Sequence, residues 1–117
     1  MAKGLFVVAL AIATAMAMGG IASAGERVRV GDGGDVIHPH ITHASVGERI
    51  IFKNVDAPDV HTVTAYQGNW SLNVRLQPGD TTRYAFFQPG VYKFRCRIHS
   101  TLDHGVCSGM CATIKVG

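Results

Sequence analysis

An all-β chain folded as an antiparallel two-sheet sandwich is what three features of this 117-residue sequence predict. Apolar and polar residues alternate with period 2 in short runs, and no segment beyond a few residues carries the 3.6-residue period of a helix. Gly and Pro interrupt those runs at short intervals. Roughly seven such strands fit into about ninety residues, the spacing of a sandwich. No repeat, linker or low-complexity segment divides them, so one domain is expected over residues 25–117.

Residues 1–24 read as an export signal. Lys3 gives a positive start, LFVVALAIATAMAM (5–18) an uncharged apolar centre, and Ala22-Ser23-Ala24 a small-residue cleavage site. The apolar run is shorter than the roughly 20 residues of a membrane-spanning helix. The mature protein is therefore expected to be periplasmic or secreted, with no anchor left after cleavage. Losing Lys3 takes the net charge from +3 to +2. That is too weak and too dispersed for a nucleic-acid surface, though it biases encounters toward acidic proteins.

The elements follow in order. ERVRVG (26–31) alternates. VIHPHITH (36–43) is expected to be one strand with Ile37, Pro39 and Ile41 on one side. ERIIFKN (48–54) is strand-like, and VHTVTAY (60–66) sets Val63 and Ala65 against Thr62 and Thr64. QGNWSLNVRLQ (67–77) reads as a loop holding a short strand. TTRYAFF (81–87) and GVYKFRC (90–96) are bounded by QPGD and QPG turns, and CATIKV (111–116) closes the chain.

Period 2 also assigns directions. His61 shares a face with Val63 and Ala65 and points inward. Cys96 shares a face with Tyr92 and Phe94 and points inward at a strand end, opposite in parity to Lys93, Arg95 and Arg97. Ala112, Ile114 and Val116 face in; Cys111, Thr113 and Lys115 face out.

The densest chemistry lies in FRCRIHSTLDHGVCSGM (94–110). Three cysteines in an oxidising compartment leave one sulfur over, which needs a reason such as a metal. A thiolate, two imidazoles and a distant thioether make the His2Cys set that holds copper for electron transfer, with a long axial Met. Cys96 and His99 are three apart, His61 comes from a separate strand, and Met110 is the only methionine after residue 24.

With these residues in place, the chain resembles the cupredoxins, the plastocyanin- and azurin-like blue copper proteins. IIFKNVDAPDVHTVTA is similar to their first-histidine segment, LQPGDTTRYAFFQPGVYKFRCRIH to their C-x-x-H segment, and GMCATIKV to their methionine and final strand. The resemblance implies a Greek-key sandwich, one copper ion on His61, Cys96, His99 and Met110, and single-electron transfer without enzymatic activity. Implied partners are redox proteins such as a c-type cytochrome or an oxidoreductase complex, met by a monomer.

Two departures leave alternatives open. STLDHGVCSG (100–109) is longer than the corresponding plastocyanin-like loop, so His104 or a backbone carbonyl competes with Met110 for the fourth position. Cys107 and Cys111 are an extra pair, expected to form a local disulfide that leaves Cys96 free; Cys96, His99, His104 and Cys107 could instead hold zinc. Copper storage or delivery, or a copper site open to a small ligand, are the rival functions. His38, His40 and His43 form an early cluster, with His38 and His40 on one strand face as a weak surface metal site. Trp70 either shields the site or fills the core, and no acid, base or nucleophile is expected beside the metal.

Overall fold

The computed structural model describes residues 25–117; the export signal lies outside the described residues. Nine strands run in the order β1 (Glu26–Val30), β2 (Ile37–His38), β3 (Ile41–Ala44), β4 (Arg49–Asn54), β5 (His61–Tyr66), β6 (Asn73–Leu76), β7 (Thr81–Ala85), β8 (Gly90–Asp103) and β9 (Val106–Val116). One sheet has the order β2-β1-β4-β7, the other β3-β9-β8-β5-β6. Between them lies the core the alternation called for. Val28, Val30, Ile50 and Phe52 come from the first sheet, and Val63, Phe94, Ala112 and Ile114 from the second. Phe52 and Phe94 meet edge-to-face across the gap, ring centroids 5.3 Å apart. Among the described residues no helix is long and apolar enough to cross a membrane.

The sandwich is mixed, where a wholly antiparallel one was expected: β1 pairs β4 and β3 pairs β9 in parallel. A second difference explains part of this. The segment 36–43 is two strands in different sheets, β2 beside β1 and β3 beside β9. Pro39 has no N–H to continue a ladder, so the chain leaves the first sheet there. The His40 carbonyl already accepts from Thr113 N–H in the second sheet at 3.0 Å. Changing sheets resets the parity: Ile37 stays buried, while Ile41 is exposed and Thr42 and Ala44 face in. His38 and His40 consequently do not share a strand face.

The segment 100–109 is not a loop. β8 and β9 continue as a hairpin arm, pairing Ser100 with Gly109, Leu102 with Cys107 and Asp103 with Val106. His104 and Gly105 form its two-residue turn with φ of 51° and 81°, the left-handed pair such turns require. Cys107 and Cys111 are disulfide-bonded, as expected, but both lie on β9. Their Cα atoms are 6.2 Å apart, against about 13 Å for four residues of straight strand. β9 therefore folds sharply between them, at Gly109, whose φ is 101°. A Cβ there would lie 2.6 Å from the His99 carbonyl oxygen, so only glycine fits.

Trp70 fills the core rather than shielding any site. It packs on Tyr84, Phe86 and Tyr92 and donates its indole N–H to the Lys93 carbonyl at 3.0 Å.

Asn54, wholly buried at the end of β4, fixes the segment that follows. Its amide donates to the carbonyls of Asp59 and Leu76, both at 2.9 Å, and its side-chain oxygen accepts from Asp56 N–H at 2.9 Å. Replacing it by alanine strands the buried Leu76 carbonyl, at about 1–3 kcal/mol, and two part-buried partners, the Asp59 carbonyl and Asp56 N–H, at less each. Asn54→Ala is expected to lower unfolding free energy by about 3 kcal/mol in urea denaturation. A loss under about 1 kcal/mol would show that the hub carries no weight.

Candidate metal centre

A mismatch between β8 and β9 creates the site. Arg95 is paired with Cys111 and Ser100 with Gly109, so residues 96–99 of β8 stand opposite Met110 alone. Strands absorb extra residues by bulging, which re-aims side chains that a regular pleat would point to opposite faces. Cys96 and His99, of opposite parity, thereby reach one point. Ser100 closes the bulge by donating its hydroxyl to the Cys96 carbonyl and accepting from the Arg95 guanidinium at 2.9 Å.

His61, the first residue of β5, arrives from the neighbouring strand. Its Nδ1 is 3.7 Å from Cys96 Sγ, and His99 Nδ1 is 3.5 Å from the same sulfur. The three ligand atoms lie within 4.8 Å of one another. Metal bonds of about 2.3 Å to sulfur and about 2.0 Å to nitrogen, meeting at roughly 110–120°, separate S from N by about 3.6 Å. The residues present fit a bound ion.

The surroundings fix the tautomer of His61 and favour the thiolate of Cys96. Asp56 Oδ2 is 2.8 Å from His61 Nε2. A carboxylate only accepts, so Nε2 carries the proton and Nδ1 presents its lone pair to the site. Burial lowers the His61 pKa, but the hydrogen bonds to Asp56 and Cys96 outweigh it and raise it overall. Burial likewise raises the Cys96 thiol, yet the Thr62 N–H at 3.3 Å, both histidines and the Ile98 N–H bring it down to about 7 from 9.0. Cys96 is the one free cysteine and is fully buried. His99 is half-buried and is the side of the site nearest solvent.

Several supporting residues carried no sequence signal. Thr62 is buried although its parity pointed outward, because the bulge covers it: Arg97 N–H donates to its hydroxyl at 2.9 Å. Gly31, φ 82°, lies against the imidazole; a Cβ there would be 2.7 Å from His61 Nε2. Acidic groups do stand beside the site, contrary to expectation. Asp35 and Asp56 oxygens lie within 4.8 Å of His61, and Asp35 is 3.7 Å from His99 Nδ1. The only hint was that both precede His61 in Gly- or Pro-containing loops.

The alternatives fare differently. Met110 is buried directly across from the bulge. His104 sits at the tip of the arm, its side chain 95% exposed and paired with Asp103 at 2.7 Å, so it cannot supply the fourth position. A zinc set of Cys96, His99, His104 and Cys107 fails with it, since Cys107 is also bonded to Cys111. Among the described residues, no group able to hold a metal includes His38, His40 or His43.

The sequence matches no protein-family model and no curated protein. Solved structures do match. A Cu-containing nitrite reductase from Thermus scotoductus SA-01 superposes with a TM-score of 0.65 at 24% identity, over 80% of this chain and 22% of that one. This chain thus spans about a fifth of that enzyme's length. A purple cupredoxin from Nitrosopumilus maritimus gives 0.61 at 19% identity, over 79% and 99% of the two chains. A reduced Cu(I) form of an amicyanin mutant gives 0.65 at 17% identity, over 80% and 83%. The chain has the cupredoxin fold.

Two titrations of the metal-free protein follow. Thiolate absorbance of Cys96 is expected to rise with a midpoint near pH 7 rather than 9.0. Since the folded pKa lies below the unfolded one, this ionisation stabilises the fold fully above 9.0, and the contribution is lost as pH falls through about 7. A midpoint above 8.5, the ordinary thiol value, would contradict the hydrogen bonding described. Asp56→Asn removes a group that raises His61, so the His61 ring should titrate at lower pH by NMR than in the wild type. An unchanged or higher value would refute the contact.

Proposed function

We propose that the chain is an exported mononuclear copper protein that carries single electrons between larger redox proteins. The observation that carries this reading is the convergence of His61 Nδ1, Cys96 Sγ and His99 Nδ1 on one point, with Cys96 outside the disulfide. Copper bound there would supply a one-electron couple, thiolate favouring Cu(I) and imidazole tolerating both states.

The chain's own residues do the rest. Cys96 supplies an anionic sulfur whose charge is already favoured by two backbone N–H donors, Thr62 and Ile98. His61, locked by Asp56 and by the close approach of Gly31, cannot swing away when the preferred geometry changes. His99 is the exposed side through which a partner's cofactor would come near, while the core seals the opposite side. Met110, across the bulge, is the fourth ligand in this reading. Asp56 is engaged with His61 and so is not a free base, while Asp35 stands 3.7 Å from His99; the carrier reading rests on the ligand set. Burial of His61 and Cys96 argues against ready exchange and so against delivery.

Adding Cu(II) to the metal-free protein is expected to give an intense visible band that Cys96→Ser abolishes and Met110→Leu shifts. A colourless but tightly held ion would overturn the reading, as would a band surviving Cys96→Ser.

A further inference from the structure

The two ends of the sandwich, and one of its faces, differ in charge in a way the metal centre does not use. On the outer face of the β2-β1-β4-β7 sheet stand Arg27, Arg29, Arg49, Lys53 and Arg83, all exposed. They are neighbours: Arg29 is beside Lys53, and Arg27 and Arg83 flank Ile51 from either side. Like charges set side by side on adjacent strands destabilise a sheet. Among the described residues only Arg29 has an ion pair, with Asp32 at 2.7 Å. Five cations against that one carboxylate give this face +4, while residues 25–117 total +2, so the rest of the domain is net −2. Glu26 and Glu48 stand at the rim on inward-parity positions, and Glu48 accepts from Ser45 N–H in its own turn.

Apolar groups mark the same face. A groove of about 280 Å³ crosses it, walled by Arg27, Arg29 and Lys53 over Ile51, Pro39 and Val55. At the rim, Phe87 is 71% exposed and continues the outward parity of Arg83. It packs against the turn at Gly47, next to the exposed Val46. This rim lies at the start of β4, whereas the metal centre lies beyond its end, about 20 Å away for six residues of strand. The described residues also begin here, with Gly25 packed against the Arg49 carbonyl.

We propose that this face seats the domain on an anionic phospholipid surface, with the cations among the headgroups and Phe87 and Val46 at the acyl boundary. Exposed aromatic and aliphatic side chains at the edge of a basic face, on a sheet without a deep pocket, are the chemistry of a peripheral membrane contact. An acidic protein would satisfy the charges, but the exposed Phe87 and Val46 at the edge of the cations favour the bilayer. The carboxylates Asp35 and Asp56, at the metal end, turn that end away from the same lipids and leave His99 reachable from the side. The seating does not depend on copper being the metal.

The test is co-sedimentation of the exported, processed protein, its N-terminus fixed by mass spectrometry, with vesicles of mixed phosphatidylglycerol and phosphatidylcholine or of phosphatidylcholine alone. Binding is expected only with phosphatidylglycerol and is expected to vanish at high salt. Arg49→Ser with Arg83→Ser should lower the partition coefficient about thirtyfold, some fivefold per charge. Phe87→Ser should weaken it further, while Arg75→Ser, on the other sheet, should cost far less. Thermal denaturation checks that each variant folds. The proposal is overturned by failure to bind phosphatidylglycerol, by equal binding to both vesicles, or by Arg75→Ser costing as much per charge as the face variants. Capture of polyglutamate in preference to vesicles would likewise overturn it, in favour of an acidic protein partner.

Discussion

A four-against-one register between β8 and β9 is the constraint on which the rest depends. Were the ladder regular from Arg95 to Ser100, Cys96 and His99 would point to opposite faces of the sheet. The bulge turns them to one point, and everything nearby exists to hold it. Gly109 admits the His99 carbonyl at a distance no side chain would allow, the Cys107–Cys111 disulfide keeps β9 folded back on itself, and Ser100 ties the Cys96 carbonyl. Met110, alone on its side of the mismatch, is pressed into the core.

Charge balance inside the site follows from that geometry. A buried thiol in apolar surroundings would hold its proton. Here the bulge brings the Ile98 N–H, and the neighbouring strand the Thr62 N–H, onto the sulfur, and the two imidazoles add to them. On the far side of His61 the balance runs the other way, since burial opposes the imidazolium and Asp56 favours it. The metal-free site is therefore already arranged for a cation: anionic sulfur at its centre, a carboxylate behind one imidazole and another near the second. Asn54 makes this possible at a distance, because its three hydrogen bonds set the path of residues 55–60 that deliver both Asp56 and His61.

The two ends of the sandwich are chemically unlike. The metal end carries Asp35, Asp56 and the half-exposed His99, with the hairpin arm projecting beside it. The other end carries Phe87, Val46 and the beginning of the described chain, and a basic sheet face joins the two. Such a separation of charge is an orienting device in any anionic environment, since steering acts on the distribution rather than on the net value.

The strands and the ligands could be read from the sequence because both obey local rules. Period 2 located β1, β4, β5, β7 and the body of β8, and it placed His61 and Cys96 inside. Cysteine counting separated Cys96 from the pair at 107 and 111, and the short strand within 67–77 emerged as β6. Long-range pairing decided what local rules could not. Pro39 was visible as a break, yet only a second sheet competing for the chain turns a break into a change of sheet and inverts the parity of Ile41. His99 was singled out by spacing, but the bulge that aims it depends on β9 being three residues short opposite it. His104 was legible as a ligand type and not as a hairpin tip. Asp56, Thr62 and Gly31 were not legible as site residues at all, because their roles arise from contacts between strands, and a one-dimensional pattern records which face a residue takes but not what it meets there.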